Sequence, residues 1–178
     1  MQRQHRARWR GFAGKGQEME FTLRSMTPGD WPEVSAIYQS GIDTGQATFE
    51  TECPSFQRWD GSHHAHCRTV ALHGGAVVGF VAISPISARA VYSGVVEGTL
   101  YVHPDFHRRG VGRLLLEHLI EAAPRHGIWT IQAGVLQENA ASLGLLESLG
   151  FRRVGHRERI AQDRYGAWRT TVLLELRL

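Results

Sequence analysis

The spacing of apolar residues changes along the chain, and each change predicts a different element. Residues 95–102 are rich in β-branched and aromatic side chains, which predicts a strand that Pro104 ends. From Gly110 onward the spacing becomes helical, and one face carries Val111, Leu114, Leu115, Leu119 and Ala122. A strand therefore leads into a helix through a basic turn that contains glycine.

The rest of the chain alternates in the same way between short apolar runs and helical spacing. Residues 27–30 predict a turn and helix cap, residues 41–51 a loop or short helix, and Gly74-Gly75 a hairpin turn. Strands are predicted at 21–25, 69–72, 77–84, 130–135, 152–160 and 168–176, and helices after residue 30, at 55–60 and at 140–149. The pattern indicates one mixed α/β layered domain.

Composition narrows the class of protein. The chain has 178 residues, enough to bury a substantial core, and 42% of them are hydrophobic. No apolar run approaches the length of a membrane span, so we expect no membrane association. Two cysteines, Cys53 and Cys67, form no C-x-x-C pair and imply no disulfide framework, which favours a cytoplasmic location.

The net charge of +3 is concentrated at the amino terminus. Residues 1–18 hold five basic residues against Glu18 alone, so this segment carries +4 and the remainder −1. A basic segment can contact nucleic acid or an acidic surface. Because it lacks apolar periodicity, we instead expect a disordered extension at 1–18, a folded domain at 19–178 and no nucleic-acid partner.

The turn before the predicted helix at 110 has the properties of an anion-binding site. Gly110 and Gly112 allow a ligand to approach the backbone closely, and the unpaired amides of a helix amino terminus attract phosphate. Arg108, Arg109 and Arg113 add positive charge. The spacing matches neither the dinucleotide-binding fingerprint nor a P-loop, and the glycines alone are equally typical of a tight connection.

Several motifs in order resemble one family. The run His107-Arg108-Arg109-Gly110-Val111-Gly112 is similar to the acyl-CoA pyrophosphate loop, [QR]-x-x-G-x-[GA], of the GNAT acetyltransferase superfamily. Further segments resemble its phosphinothricin and methionine sulfone or sulfoximine N-acetyltransferase branch, namely residues 47–51, 88–92, 97–104, 138–142, 147–151 and 166–168. The resemblance covers roughly residues 20–178.

The resemblance implies a fold, a cosubstrate and a set of site residues. The fold would be the GNAT-type acyl-CoA N-acyltransferase fold, an α/β architecture with a central mixed, mostly antiparallel sheet flanked by helices. The cosubstrate would be acetyl-CoA, and the assembly a homodimer. The implied cofactor-binding residues are Leu100, Tyr101, Val102, His107, Arg108, Arg109, Gly110, Val111, Gly112, Arg113, Asn139 and Ser142.

The chemistry of amine acetylation requires a base, because a free amine is mostly protonated near neutral pH. Glu97 matches the family's base and begins the predicted cofactor strand, although a strand-edge glutamate is also a common structural residue. In the arrangement that the resemblance implies, residues 100–102 offer backbone groups to the pantetheine arm. The amide of Val102 would then stabilise the developing oxyanion.

Two positions depart from the family's pattern. His107 stands where glutamine or arginine is usual, which matters little if backbone amides hold the phosphate. Leu146 stands where this branch usually has a histidine that faces the leaving thiolate, and leucine cannot donate a proton. A thiol with a pKa of roughly 8.5 is already a fair leaving group, so water or Tyr101 could suffice.

The remaining candidates each have a structural alternative. Asn139 and Ser142 match the second cofactor contact and are equally suited to capping a helix. The resemblance suggests Phe49, Glu50, Arg89 and Tyr92 for the substrate. An arginine suits a carboxylate, but 19 of the 20 basic residues are arginines, so Arg89 can be an ordinary surface residue. The run His63-His64-Ala65-His66-Cys67 lacks a second ligand group at metal spacing, so we expect a surface loop and no metal.

These observations predict an N-acetyltransferase that transfers acetyl from acetyl-CoA to the α-amino group of a small amino acid or analogue, with Glu97 as general base. One alternative is an enzyme that acetylates a peptide terminus or lysine of a protein. Another is a noncatalytic acyl-CoA-binding module, which the leucine at position 146 suggests.

Overall fold

A single twisted sheet organises the chain. The computed structural model describes residues 9–12 and 18–178. In these residues the sheet has eight strands in the order β1-β2-β3-β4-β5-β6-β8-β7, and every neighbouring pair is antiparallel except β5 with β6. The strands are β1 Trp9–Phe12, β2 Glu18–Ser25, β3 Thr69–His73, β4 Ala76–Pro85, β5 Val95–Val102, β6 Thr130–Leu136, β7 Arg152–Gln162 and β8 Trp168–Arg177.

Four α-helices cover the two faces of this sheet. They are α1 Trp31–Asp43, α2 Phe56–Ser62, α3 Val111–Ala122 and α4 Ala140–Ser148. The larger core lies under α3 and α4 and contains Val96, Leu115, Ile131, Leu146 and Leu174. The smaller core lies under α1 and α2, around Val34, Ile37, Trp59 and Phe80. The predicted mixed, mostly antiparallel α/β layering is confirmed.

The predicted elements agree closely with the observed ones. The strand at 95–102 is confirmed in full, and the helix predicted from 110 begins one residue later. On α3 the buried set is Val111, Leu114, Leu115, Leu116 and Leu119. Ala122, which we placed on the same face, is only half-buried. Among the described residues, no helix is long and apolar enough to cross a membrane.

Part of the amino-terminal segment has regular structure. Residues 9–12 lie in the segment for which disorder was predicted, but they form β1 and pair with β2 from Trp9 opposite Phe21 to Phe12 opposite Glu18. This pairing is that of a local hairpin, but a strand of four residues is too short to leave a periodic signal in the sequence. The rest of the prediction concerns residues 1–8 and 13–17, which lie outside the described residues.

A glycine lets α3 lie close to the sheet. A Cβ added at Gly79 in β4 would lie 3.1 Å from the carbonyl oxygen of Tyr101 and 3.1 Å from Cγ1 of Val111. These distances are tighter than ordinary van der Waals contact, so a side chain there would push the start of α3 outward. The position of the α3 amino terminus beside β5 therefore depends on this small residue.

Candidate active site

A gap opens in the middle of the sheet. β5 pairs with β4 from Val96 to Val102, but it pairs with β6 only at residues 95–97. Beyond Glu97 the two parallel strands diverge, although both continue for several residues. The edge of β5 that faces β6 is therefore unpaired over residues 98–102. An extended ligand can hydrogen-bond there as an additional strand would.

The amino terminus of α3 lies at the end of β5. Gly110 precedes the helix with φ +84°, and the first α-helical hydrogen bond runs from the Leu114 amide to the Gly110 carbonyl at 3.0 Å. The amides of residues 111–113 precede that bond, so no carbonyl of the helix accepts them. Arg108 also has a left-handed backbone, with φ +59°. Left-handed residues in such a turn aim successive amides at one point, which suits a phosphate.

An apolar surface lies beneath this turn. A Cβ added at Gly112 would lie 3.2 Å from Leu145 Cδ2, 3.5 Å from Leu100 Cδ2 and 3.7 Å from Val102 Cγ2. The absence of a side chain at Gly112 thus keeps three half-buried aliphatic residues close together between β5, α3 and α4. This apolar surface connects the glycine-containing turn before α3 to the unpaired edge of β5.

The side chains of the turn mostly contact the protein itself. His107 Nε2 hydrogen-bonds the Val102 carbonyl at 2.9 Å. The guanidinium of Arg109 lies over the Phe106 ring, with its carbon 5.5 Å from the ring centroid, and its Nη1 contacts the sulfur of Met19 at 2.9 Å. Arg108 is exposed. The anion site is therefore built mainly from backbone amides.

Arg113 joins α3 to α4. Its Nη2 donates to Ser148 Oγ at 2.6 Å, and its Nη1 lies 3.3 Å from a carboxylate oxygen of Glu117. Its charge is thus partly balanced, so Arg113 adds less positive charge to the turn than the sequence suggests.

Glu97 is the last residue of β5 before the strands diverge. Its neighbour Val96 is fully buried in the larger core, so alternation along the strand places Glu97 on the opposite face, where it is exposed. Its Oε1 lies 3.4 Å from the point where a Cβ at Gly134 of β6 would be. The carboxylate therefore lies over β6 at the mouth of the gap, within reach of a ligand held there.

Asn139 and Ser142 have structural contacts. Asn139 Oδ1 accepts from the Ser142 amide at 3.1 Å and so caps α4, while Asn139 Nδ2 donates to the Gln46 carbonyl at 3.2 Å. The capping alternative is confirmed. The side chain also fixes the segment after α1, which sequence spacing could not indicate because the two residues are far apart in the chain.

Two of the residues expected at the substrate line a cavity. Phe49 and Glu50 contribute to a cavity of about 220 Å³ between the segment after α1 and the turn between β7 and β8. The turn is attached to α1 by Arg164, whose Nη2 donates to the Ile42 carbonyl at 2.8 Å. The contribution of the β7–β8 turn was not predicted, although residues 166–168 at its end resemble the family branch.

The other two expected substrate residues lie apart from that cavity. Arg89 and Tyr92 are both exposed, and the Arg89 guanidinium lies over the Tyr92 ring with its carbon 5.4 Å from the centroid. The two belong to the segment between β4 and β5, next to the pairing of Ser84 with Glu97. The structure thus brings them to the Glu97 end of the sheet and leaves the guanidinium accessible.

Leu146 lies in the core. Only 5% of the residue is exposed, and it packs among the buried residues between α4 and the sheet. The resemblance placed this position opposite a leaving thiolate, but in this protein the side chain points into the hydrophobic core. Leu145, one residue earlier, is the residue that reaches the apolar surface beneath the turn.

Tyr101 is on the other face of β5. Its ring packs on Tyr38, with the centroids 4.7 Å apart, and on Phe80. Burial raises the pKa of Tyr101 strongly, and the neighbouring Tyr38 raises it further. The phenol therefore stays protonated at all physiological pH values and is able to donate a hydrogen bond.

The histidine-rich loop is packed and not simply superficial. His63 stacks on Trp59, and His66 stacks between His64 and His126 with centroids 4.9 Å and 4.4 Å away. His63, His64 and His66 are half-buried, which corrects the expectation of a plain surface loop. In the part of the chain that the structure describes, no three His, Cys, Asp or Glu side chains are arranged to hold a metal.

The arrangement fits an acyl-CoA ligand. The unpaired edge of β5 suits the amide-containing pantetheine arm, the amides of residues 111–113 suit the pyrophosphate, and the aliphatic residues between them suit the methylene groups. Gly79 and Gly112 keep these parts close together.

Comparison with known proteins agrees with this geometry. Residues 31–151 match the model of the acetyltransferase (GNAT) family. A phosphinothricin N-acetyltransferase of Alcaligenes faecalis is 32% identical over 165 residues, which are 86% of this chain and 81% of that protein. An L-methionine sulfoximine/L-methionine sulfone acetyltransferase of Pseudomonas aeruginosa is 26% identical over 166 residues, covering 90% of this chain and 96% of that protein.

A solved structure has the same fold. A GNAT phosphinothricin acetyltransferase from Sinorhizobium meliloti, in complex with acetyl-CoA, superposes with a TM-score of 0.80 at 26% identity, over 89% of this chain and 88% of that one. The chain belongs to the acetyltransferase (GNAT) family. It is an acetyltransferase whose cosubstrate is acetyl-CoA.

Proposed function

We propose that this enzyme transfers the acetyl group of acetyl-CoA to the α-amino group of a small amino acid or an analogue of one. The observation that carries the proposal is the position of Glu97, an exposed carboxylate at the point where β5 and β6 diverge. The amino-acid preference is supported by the relatives from Alcaligenes faecalis and Pseudomonas aeruginosa, which are named for acetylating amino-acid analogues.

In the proposed reaction Glu97 accepts a proton from the substrate ammonium group, directly or through water. The neutral nitrogen attacks the thioester carbonyl of acetyl-CoA, the C–N bond forms, the C–S bond breaks, and the thiolate takes up a proton from solvent. The Val102 amide is our candidate for stabilising the negative charge on the carbonyl oxygen, because it belongs to the unpaired end of β5. The amides of residues 111–113 hold the pyrophosphate.

No buried general acid is required for the leaving group. The thiol of the departing product has a pKa of roughly 8.5, so it leaves as thiolate without prior protonation. This removes the main argument for a noncatalytic module, which rested on the leucine at position 146. We infer that Leu146 has a packing role and that the enzyme does not depend on a donor there.

A thiol-release assay tests the proposal. The wild-type protein is given acetyl-CoA and a panel of free amino acids, methionine sulfone, phosphinothricin and short peptides. We expect turnover with α-amino acids or their analogues. Glu97→Gln should lower kcat by about 100-fold or more, since general-base catalysis contributes about that much. The affinity for CoA should not change, because the amides of α3 are untouched.

Glu121→Gln is the matched control. This glutamate is exposed near the end of α3 and lies 3.8 Å from Arg125, away from the gap. The control should keep full activity. Tight CoA binding without turnover of any amine would refute the enzyme proposal, and acetylation of peptides alone would favour a protein-modifying enzyme.

We also propose a homodimer formed through the hairpin of β7 and β8. Four large apolar side chains of this hairpin are exposed, and β7 is an edge strand that leaves backbone groups unpaired. They are Val154, Ile160, Tyr165 and Trp168. Sedimentation equilibrium at micromolar concentration should give twice the chain mass. A monomer mass, unchanged by substitution of Trp168 with serine, would refute this arrangement.

The proposed location is the cytoplasm. Cys53 and Cys67 are free and half-buried, and burial raises the pKa of both thiols. Thiols that remain protonated oxidise slowly, which is compatible with a reducing compartment. Fractionation of cells that express the tagged chain would test this location directly.

A further inference from the structure

Two opposite charges meet over a glycine of β6. A Cβ added at Gly134 would overlap with Nη2 of Arg157 and would lie 3.4 Å from Oε1 of Glu97. The guanidinium of Arg157 therefore occupies space that any other residue at position 134 would fill. Glu97 comes from β5 and Arg157 from β7, so the three residues are brought together by the sheet and not by sequence proximity.

Arg157 is held in this position from the next strand. It lies opposite Thr171 of β8, and its Nε donates to Thr171 Oγ1 at 3.2 Å. Thr171 is only 3% exposed, so the anchor itself is fixed in the sheet. The register of β7 shifts between Arg157 and Ala161, which ends the regular pairing just beyond the arginine. Nε is thus used for anchoring, and Nη2 is the terminal nitrogen that lies at Gly134.

Glu97 and Arg157 lie near the same point but form no direct ion pair. No nitrogen of Arg157 lies within 4.0 Å of a carboxylate oxygen in the described residues, whereas Arg152 and Arg153 of the same strand pair with Glu175 and Glu147. The exposed carboxylate of Glu97 and the exposed guanidinium of Arg157 therefore face a common space without forming an ion pair. An α-amino acid carries the complementary charges, an ammonium and a carboxylate, on the same carbon atom.

Resting on the proposed function, we propose that Glu97 and Arg157 together bind the zwitterionic head of an α-amino acid substrate. Arg157 binds the carboxylate through its terminal nitrogens, and this binding places the amino group on Glu97, where the proton is removed. The two-pronged contact fits a planar carboxylate. Arg157, which no motif indicated, therefore selects α-amino acids over amines that lack a carboxylate.

The test compares two substrates that differ only in the carboxylate. Methionine sulfone and 3-(methylsulfonyl)propan-1-amine, its decarboxylated counterpart, are assayed with wild type, Arg157→Met and Arg157→Lys. We expect Arg157→Met to lower kcat/KM for methionine sulfone by about 10- to 100-fold, as loss of a charged hydrogen-bonding pair does, mostly through KM. The decarboxylated amine should be acetylated by Arg157→Met and wild type at similar rates. Arg157→Lys keeps the positive charge but cannot form two parallel hydrogen bonds to a carboxylate, so its kcat/KM for methionine sulfone should lie between those of Arg157→Met and wild type.

Arg153→Met is the control on the same strand, because Arg153 pairs with Glu147 on the surface. It should leave both substrates unaffected. Arg89→Met serves as a competing arm, since Arg89 was the arginine expected from the resemblance. Equal losses with both substrates in Arg157→Met would mean that Arg157 has a structural role. The inference would also be refuted if Arg157→Met lost no activity, or if only Arg89→Met showed a loss that depends on the carboxylate.

The outcome separates the two proposals. A wild-type enzyme that acetylates amino acids irrespective of Arg157 refutes the zwitterion site but leaves the proposed function intact. A wild-type protein that releases thiol with no α-amino acid refutes the proposed function and the site together.

A second variant checks the geometry, since Gly134→Ala displaces the guanidinium without removing its charge. It should lower kcat/KM for methionine sulfone, whereas Gly144→Ala, with no atom within 4 Å of the added Cβ, should not.

Discussion

The side chain of Asn139 connects two segments that are far apart in the chain, because its oxygen caps α4 and its nitrogen donates to the carbonyl of Gln46. Asn139→Ala removes both contacts. We expect a loss of about 1 kcal/mol in the free energy of unfolding, which is typical for a lost amino-terminal cap. Urea denaturation of the purified variant measures it.

Asn139→Asp is the matched variant, since aspartate caps a helix equally well but has no donor for the Gln46 carbonyl. It should keep the stability that the cap provides and lose only the attachment of residues 44–51. A higher KM for the amine with normal unfolding would show that the attachment shapes the cavity at Phe49 and Glu50. If both variants are as stable as wild type, the contacts contribute nothing.

A buried carboxylate should make stability depend on acid pH. The Arg24 guanidinium, 2.6 Å from Asp30, lowers the pKa of Asp30 from 3.8 to about 2, against the opposing effect of burial. The folded-state pKa lies below the unfolded one, so the stabilisation is complete above pH 4 and is lost as pH falls from 4 towards 2. It amounts to about 2 kcal/mol.

Asp30→Asn should therefore be less stable than wild type at pH 7, and the difference should shrink between pH 4 and pH 2. Denaturant unfolding at several pH values gives this difference. Asp105→Asn, at a side chain that is 82% exposed, is the control and should show little effect. A difference between Asp30→Asn and wild type that stays constant down to pH 2 would contradict the assignment.

The left-handed glycine before α3 should control CoA binding. Gly110→Ala forces an L-residue to φ +84°, which costs roughly 1 kcal/mol and turns the amides of residues 111–113 away from their common point. We expect the Kd for CoA, measured by calorimetry, to rise about tenfold. Gly75→Ala, at φ +90° in the turn between β3 and β4, carries the same strain far from the gap.

The control should lose stability like Gly110→Ala but bind CoA with unchanged affinity. Equal effects of the two variants on the Kd would show that only global stability matters. Unchanged CoA affinity in Gly110→Ala would remove the α3 amides from the binding site.

Introducing the family's histidine at position 146 should not improve the enzyme. Leu146→His buries an imidazole in an apolar core without a hydrogen-bond partner, and we expect it to lower the free energy of unfolding by about 2 kcal/mol or more. Leu146→Met preserves the volume and should cost less than about 1.5 kcal/mol. Steady-state kinetics should show no increase in kcat for either variant. A faster Leu146→His enzyme of normal stability would prove that the position faces the leaving group.

Local patterns predicted the positions of most strands and helices and the glycine-containing turn before α3. The strand at 95–102 is rich in β-branched and aromatic residues, the helix that follows has a period of 3.6 residues, and the glycines between them allow close approach of a ligand. The contacts that depend on strand register were not predictable. Arg157 is one of 19 arginines, and its proximity to Glu97 results from pairing across four strands and a register shift.

Side-chain partners were also hidden from the sequence. Arg109 and Arg113 have the spacing of phosphate ligands. In the structure, however, the guanidinium of Arg109 contacts Phe106 and Met19, and that of Arg113 contacts Ser148 and Glu117. A helical position such as Leu146 is apolar in sequence whether it faces a core or a cleft, so only the packing of α4 decides its role.

The divergence of β5 from β6 also affects the mechanics of the molecule. Only three residue pairs join the two strands, so the backbone connection between β1–β5 and β6–β8 is short, and the core under α3 and α4 supplies most of the remaining cohesion. A ligand that hydrogen-bonds along the gap adds a further connection between the strands β1–β5 and the strands β6–β8. Hydrogen exchange of the β6 amides should therefore slow when CoA binds, and the enzyme should be stiffest while it holds its cosubstrate.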